Sequence, residues 1–302
     1  MKESEIIQAF FKGHFLPEDD CHYLPPDQLV TTDSLAEGTH FLHKWSSPSQ
    51  LAEKLIEVNV SDIAASGGKP TLCLLNLGLS ELSKQDDWVR AFSSAFRKRL
   101  QAYDMKLVGG DTFFSKNTHL TLTVFGKCKK PWTRSGARDG DHLYLTGNVG
   151  NSELGLHALQ KNISRKEFKA AITKHLTPKS RVSLVPFLKK YEIHACMDLT
   201  DGLIQDTERL ALAAKGSIVI DLKSLPVSKL AFQTLGWDGV LGSGEELELL
   251  FLSADILPSK IGNVKCTKIG EFHKNKSNKH YAVTFRQGDE IYLPRQKGFL
   301  HF

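Results

Sequence analysis

An α/β fold in two halves is what the chain predicts, and three observations carry that reading. Short apolar runs alternate with amphipathic segments along the whole length, the rhythm of strands interleaved with helices. At 302 residues the chain can build two compact domains, or one large one, each with its own core. A turn-rich stretch, "KKPWTRSGARDGDH" (129–142), separates two halves that share the strand–helix rhythm, and it marks the expected boundary.

In the first half, "QLVTTD" (28–33) reads as a strand. "SPSQLAEKLIEVNVSDIAASGG" (47–68) reads as a helix, because Pro48 suits a first turn and Gly67 and Gly68 can stop it. "TLCLLNLGL" (71–79) is expected as a buried strand. "DDWVRAFSSAFRKRLQAY" (86–103) is a helix whose apolar stripe runs through Trp88, Phe92, Ala95, Phe96, Leu100 and Tyr103. "MKLVGGD" (105–111) reads as a strand running into a turn, and "HLTLTVFGK" (119–127) alternates as a half-buried strand does.

The second half opens with a strand at 143–147, followed by helices across 150–190. A strand "HACMD" (194–198) and a helix "GLIQDTERLALAAKG" (202–216) come next. Further strands are expected in "IVIDL", "EELELLF" (245–251), "CTKIGEF" and "YAVTFR". No short-period repeat or low-complexity tract is visible.

Composition narrows the function classes. Hydrophobic content of 41% and charged content of 24% are ordinary for a globular chain, and the net charge of +5 is only mildly basic. The densest basic segment, "KNKSNKH" (274–280), is interleaved with Asn and Ser and reads as a solvated loop, so no nucleic-acid partner is expected. Cys21, Cys73, Cys128, Cys196 and Cys266 are scattered without a Cys-x-x-Cys pair, which speaks against a disulfide framework or a zinc site. No signal-peptide core is evident at the start, and no apolar run reaches the ~20 residues of a membrane span. A soluble cytoplasmic protein is expected.

Carboxylates recur where strands are expected to finish. "LVTTD" delivers Asp33, "KLVGGD" delivers Asp111, and "HACMDLTD" delivers Asp198 and Asp201. Each also fits a local role, as a turn starter or a helix N-cap. Taken together they point to one site, because α/β folds bind ligands beyond the carboxyl ends of their strands. Asp62 falls on the buried stripe of its helix with Leu51, Leu55 and Val58, and Asn59 lies on a neighbouring line. A buried carboxylate there needs either an arginine or a cation. Asp19, Asp20, Glu245, Glu246 and Glu248 add further acids, with Glu245 at a strand entrance and Glu248 free to alternate outward.

Converging carboxylates repel by ~4 kcal/mol per pair at 4 Å and an effective dielectric near 20, so cations must offset them. Oxygen donors without a Cys or His cluster select Mg²⁺ over zinc. Glycines at 109–110 and 242–244 allow close backbone approach to an anion. No Gly-x-x-x-x-Gly-Lys-Ser/Thr loop and no Gly-x-Gly-x-x-Gly turn is present, so metals would have to hold any nucleotide phosphates.

These motifs resemble the thiamine-monophosphate kinase family of the aminoimidazole-ribonucleotide synthetase-like superfamily. The likeness runs nearly end to end through "EDDC", "TTDSLAEGTHF", "VNVSDIAASGGKP", "YDMKLVGGDT", "TRSGARDGD", "YLTGNVG", "MDLTDGLIQD", "SGEELEL" and "KGFLHF", in the family's order. The resemblance implies a two-domain subunit, with residues 1–130 binding ATP and magnesium and forming a homodimer through their strands. Residues 131–302 would complete the active site. It implies ATP-dependent phosphorylation of thiamine monophosphate to thiamine diphosphate. Carried over by position, Asp20, Thr31, Thr32, Asp33, Asp62, Asp111, Asp198 and Asp201 would hold several Mg²⁺ ions. Tyr103, Gly110, Asp111, Arg134 and Thr200 would contact ATP, and His40, Glu245 and Gln296 would face thiamine monophosphate.

The chain departs from the family pattern at Glu18, where the family usually has Gly, and at Thr200, which replaces serine. Glu246 and Leu247 replace Asp-Tyr, and Gln296 replaces a tryptophan expected over the thiamine ring. The acceptor is itself a phosphate with a second pKa near ~6, so no strong general base is required. Positioning and charge neutralisation by metals and Arg134 would suffice. His40 also fits as a hydrogen-bonded loop histidine. Two rival readings are another ATP-dependent enzyme of the superfamily and a non-catalytic dimer that binds nucleotide or thiamine phosphates.

Overall fold

The computed structural model describes residues 3–10, 19–275 and 282–295; Glu18, Gln296 and the ending "KGFLHF" lie outside them. Its elements in chain order begin with α1 (Glu3–Phe10), β1 (His22–Leu24), β2 (Gln28–Ala36), α2 (Pro48–Ala65), β3 (Lys69–Leu79) and α3 (Asp86–Ala102). β4 (Lys106–Phe114), β5 (His119–Lys127), β6 (His142–Thr146), α4 (Asn151–Gln160) and α5 (Lys169–Leu176) follow. Next come α6 (Val185–Leu188), β7 (Ile193–Asp198), α7 (Leu203–Ala214), β8 (Gly216–Asp221) and α8 (Lys229–Leu241). The last strands are β9 (Leu249–Ser253), β10 (Lys260–Ile261), β11 (Val264–Lys274), β12 (Val283–Gln287) and β13 (Glu290–Tyr292).

The expected mixed α/β architecture is present as two sheets. The first runs in the order β1-β2-β5-β3-β4. The second runs β13-β12-β8-β11-β6-β9-β7, with β10 paired to β11. The stretch around 129–142 links them without a helix or strand until β6 begins.

Helix α2 joins the two halves. Its start is fixed by a reciprocal cap: the Gln50 amide donates to Ser47 Oγ at 3.3 Å, and the Ser47 amide donates to Gln50 Oε1 at 2.9 Å, ahead of Pro48. Gly67, in the left-handed region at φ +70°, follows its C-terminal end as the sequence predicts. Nearly every residue of α2 is buried, because it packs on β2 and β5 on one side and reaches β7 and α5 on the other. α3 covers α2 with its aromatic stripe: Trp88 stacks on Phe92 at 5.0 Å between ring centroids, and Phe92 on Phe96 at 5.9 Å. Truncating Phe92 to alanine in so dense a stack costs ~3–5 kcal/mol.

Four expectations about the strands need correction. β2 does not end at Asp33 but continues to Ala36, paired throughout with β5, so Asp33 sits in mid-strand. "MKLVGGD" does not turn at its glycines, because β4 runs straight through to Phe114 alongside β3. Gly110, at φ +149°, is needed there because a Cβ would lie 1.8 Å from the Leu75 carbonyl oxygen. "EELELLF" becomes a strand only from Leu249. Glu245 and Leu247 have φ of +53° and +49°, and this left-handed backbone interrupts any ladder. β3 is only half-buried, since its neighbour β4 is an uncovered edge strand.

Candidate active site

Between the two sheets lies a cavity of about 870 Å³, and most of the expected site residues border it. Period-two geometry of β2 decides which of its residues face inward. Leu29, Thr31, Asp33 and Leu35 share the face toward α2, and Thr31 Oγ1 donates to Asp62 Oδ2 at 2.6 Å. The Asp33 amide donates to Asn59 Oδ1 at 2.9 Å, so α2 holds both inward residues in place. Thr32 points to the other face, where its hydroxyl donates to the Leu122 carbonyl at 3.2 Å. The expected metal role of the Thr32 side chain therefore has no support from its orientation.

Among the described residues Asp62 makes no ion pair with an arginine; its company is other carboxylates. Oxygens of Asp20, Asp62 and Asp198 lie within 4.8 Å of one another. Asp198, at the end of β7, is 1% exposed, and its Oδ2 has no hydrogen-bond partner among the described residues. Burial first, then neighbouring aspartates, pushes the Asp62 and Asp198 carboxyls well above their usual range. Burial and the charges of Asp201 and Asp20 raise Asp33 to about 6. Arg134 answers part of this charge. Its guanidinium pairs with Asp20, and its amide donates to Asp19 Oδ1 at 2.7 Å. Burial alone would depress the guanidinium, but Asp20 outweighs it and raises the pKa. Oxygen donors, an orphaned buried carboxylate oxygen and an excess of negative charge together fit a divalent cation of the magnesium class.

The loop after β7 carries Thr200 and Asp201 to the same cavity. Asp206, which sequence reasoning passed over, shapes that loop. Its Oδ2 accepts from the amides of Thr200, Asp201 and Gly202 at 2.9, 3.0 and 3.2 Å. Arg209 ties Asp206 to Asp201 by pairing with both. An aspartate in the first turn of the helix after "DLTDG" was the available signal.

The acceptor-side candidates His40 and Glu245 border the cavity as well. His40 Nδ1 accepts from the Ala36 amide at 3.0 Å, so one ring nitrogen serves the loop, as its modest reading required. Glu245 pairs at 2.6 Å with Lys54, a lysine that is only 2% exposed and that sequence reasoning missed. Glu246 turns away from the cavity into its own loop, where it accepts from Ser243 Oγ at 2.7 Å and the Ser152 amide at 3.0 Å. Its neighbour Leu247, like Thr200, is a departure that reaches the cavity wall. Glu248 does not alternate outward: it is 1% exposed and binds Lys174, Arg181 and Thr146.

Three expected ATP contacts are not brought to the cavity within one chain. Tyr103 is engaged with Glu57 Oε2 at 2.9 Å and with Arg99. Gly110 and Asp111 lie on β4, whose nine residues are all exposed. Gln296 falls outside the described residues.

Comparison with known proteins supplies the family and the fold. The profile of the AIR synthase related protein N-terminal domain matches residues 18–128, and that of the C-terminal domain matches residues 138–255. A thiamine-monophosphate kinase of Leptospira interrogans serogroup Icterohaemorrhagiae serovar Lai is 43% identical over 305 residues, covering 100% of this chain and 98% of that protein. The thiamine-monophosphate kinase of Escherichia coli strain K12 is 34% identical over 305 residues, covering 94% and 90%. A solved structure described as AaThiL complexed with AMPPCP and TMP matches with a TM-score of 0.85 at 29% identity, covering 100% of this chain and 97% of that one. With both domain profiles matched in order and a 43% identical relative aligned over its whole length, the chain belongs to the thiamine-monophosphate kinase family of the AIR synthase related proteins.

Proposed function

We propose that the chain transfers the γ-phosphoryl group of ATP to the phosphate of thiamine monophosphate, yielding thiamine diphosphate and ADP. The observation that carries this reading is the single cavity in which Asp20, Asp62 and Asp198 converge beside Arg134 and open toward His40 and Glu245. A relative solved with AMPPCP and TMP supports the same pair of substrates.

In the transfer, an oxygen of the acceptor phosphate bonds to the γ-phosphorus as the bond to the β-bridging oxygen breaks. Thr31, Asp33, Asp62, Asp20, Asp198 and Asp201 would hold magnesium, with Thr32 and Asp111 as the less supported members of the set. Magnesium bound there supplies the positive charge that lets two polyanions approach. Arg134 stands beside the same carboxylates and would stabilise charge spreading over the transferred group. Thr200 would orient ATP from a loop that Asp206 makes rigid. His40 and Glu245 would hold the acceptor, and no described residue needs to act as a strong base.

A homodimer fits the uncovered edge of the first sheet. Leu107, Val108, Phe113 and Phe114 are about half or more exposed on β4, and an apolar edge strand invites pairing with a second copy. Gly110 and Asp111 lie on that edge, so their contacts with ATP would be made across the interface. The division into residues 1–130 and 131–302 follows the two sheets. Free, buried cysteines accord with a reducing cytoplasm.

The test is to incubate the purified protein with ATP, Mg²⁺ and thiamine monophosphate and to separate the products. Thiamine diphosphate should form in step with ADP. ADP release that depends on a different acceptor would favour a sister enzyme. ATP binding without turnover on any acceptor would favour the binding-only dimer.

A further inference from the structure

Helix α2 carries two charged side chains into the cavity region from one rigid rod. Asp62, near its C-terminal end, belongs to the carboxylate cluster. Lys54 lies eight residues earlier, ~12 Å along the axis at 1.5 Å per residue. A fully buried lysine requires compensation, and the partners that supply it are informative. Lys54 Nζ donates to Glu245 Oε2 at 2.6 Å and to the carbonyl oxygen of His40 at 3.3 Å. Those two residues come from opposite halves of the chain, and both face the acceptor side of the cavity.

Glu245 has reason to need such a hold. Its backbone is left-handed at φ +53°, a conformation unfavourable for a residue with a Cβ, and its amide is spent on the Thr200 carbonyl at 2.7 Å. The Lys54 ammonium fixes the direction of its carboxylate.

We infer that Lys54 is the positioning residue of the acceptor site, tying Glu245 and the His40 loop to the same helix that places Asp62, so that α2 sets the distance between the acceptor's ring end and the phosphoryl-transfer centre. The inference rests on the kinase reading above. Lys54 touches neither reacting atom in this scheme; it acts through Glu245 and His40.

The experiment is steady-state kinetics on Lys54→Met, Glu245→Gln and the double variant, with thermal unfolding measured alongside. Lys54→Met should raise KM for thiamine monophosphate at least tenfold while KM for ATP stays within twofold. The double variant, which removes both buried charges, should show an acceptor KM within about threefold of Glu245→Gln alone, because partners in one contact are non-additive. This comparison remains decisive if Lys54→Met alone does not fold. A lowered melting temperature with an unchanged acceptor KM, or fully additive effects in the double variant, would overturn the inference. If wild-type protein makes no thiamine diphosphate, the kinase reading itself falls and takes this one with it.

Discussion

Replacing Asp198 by asparagine should make the protein more stable and nearly inactive at once. Asp198 is 1% exposed and shares a 4.8 Å neighbourhood with carboxylate oxygens of Asp20 and Asp62. At that separation and an effective dielectric near 20, each ionised pair repels by about 3.5 kcal/mol. Part of this is relieved because the carboxyls hold protons more tightly, so we expect a net gain of about 2 kcal/mol for Asp198→Asn in chelator at pH 8. Asparagine keeps the shape but loses the charge that a cation requires. Urea unfolding in EDTA should therefore show the variant as the more stable protein. Added Mg²⁺ should stabilise wild type by mass action and leave the variant almost unmoved. Thiamine diphosphate formation should fall by about a hundredfold or more, the scale of removing one electrostatic group from a transition state. A variant less stable than wild type in EDTA, and equally responsive to Mg²⁺, would refute the reasoning. Near-wild-type turnover would do so independently.

Glu153, on the cavity wall, is pushed up to about 7 by burial and then by Glu246, from an ordinary 4.5. A raised carboxyl costs stability from the pH at which the unfolded chain ionises up to the folded pKa, here from 4.5 to about 7, so Glu153→Gln should match wild type below about pH 4. It should be more stable by about 2 kcal/mol at pH 8, and equal melting temperatures at both pH values would contradict this. Gly147 has φ +61°, and a Cβ there would lie 2.3 Å from the Glu248 carboxylate. Gly147→Ala should cost at least about 2 kcal/mol in urea unfolding, and a change under 0.5 kcal/mol would show the loop to be pliant. If the proposed homodimer forms through β4, Val108→Lys together with Phe113→Lys should halve the mass seen by light scattering; an unchanged mass would remove β4 from any interface.

Much of the fold was legible because its signals are local. Ser47, Pro48 and Gln50 announce the start of α2, and the Trp88–Phe92–Phe96 stripe announces α3. Strand ends were less legible. Nothing local tells Asp33 or Asp111 from a turn residue, and it is the nine-residue ladder with β5, or the parallel pairing with β3, that keeps the strand going. The site was half legible. Asp62 and Asp198 could be gathered from charge logic, and Asp20 joined them through the family resemblance. Lys54 and Asp206 could not, since one lysine among helix residues and one aspartate after a glycine look like ordinary surface and cap until their partners, nearly two hundred residues off in the case of Glu245, are in place.

Charge divides the cavity into two ends with different needs. At the aspartate end, burial and mutual repulsion raise Asp33, Asp62 and Asp198 together, and Arg134 is already paired with Asp20. That end is left short of positive charge. At the other end, burial alone would raise Glu245, but the ammonium of Lys54 outweighs it and holds the carboxyl below its usual range. His175 is lowered to about 4 by burial and by Lys54, and so stays neutral. The Glu245 end is therefore balanced within the protein, while the aspartate end is not. On the proposed reading, cations brought by a nucleotide polyphosphate would settle at the aspartate end, and a phosphate acceptor would point its anionic end there. Orientation of the acceptor would then follow from where the protein has left its charge uncompensated, and Glu245 would select the remainder of the molecule by hydrogen bonding rather than by net charge.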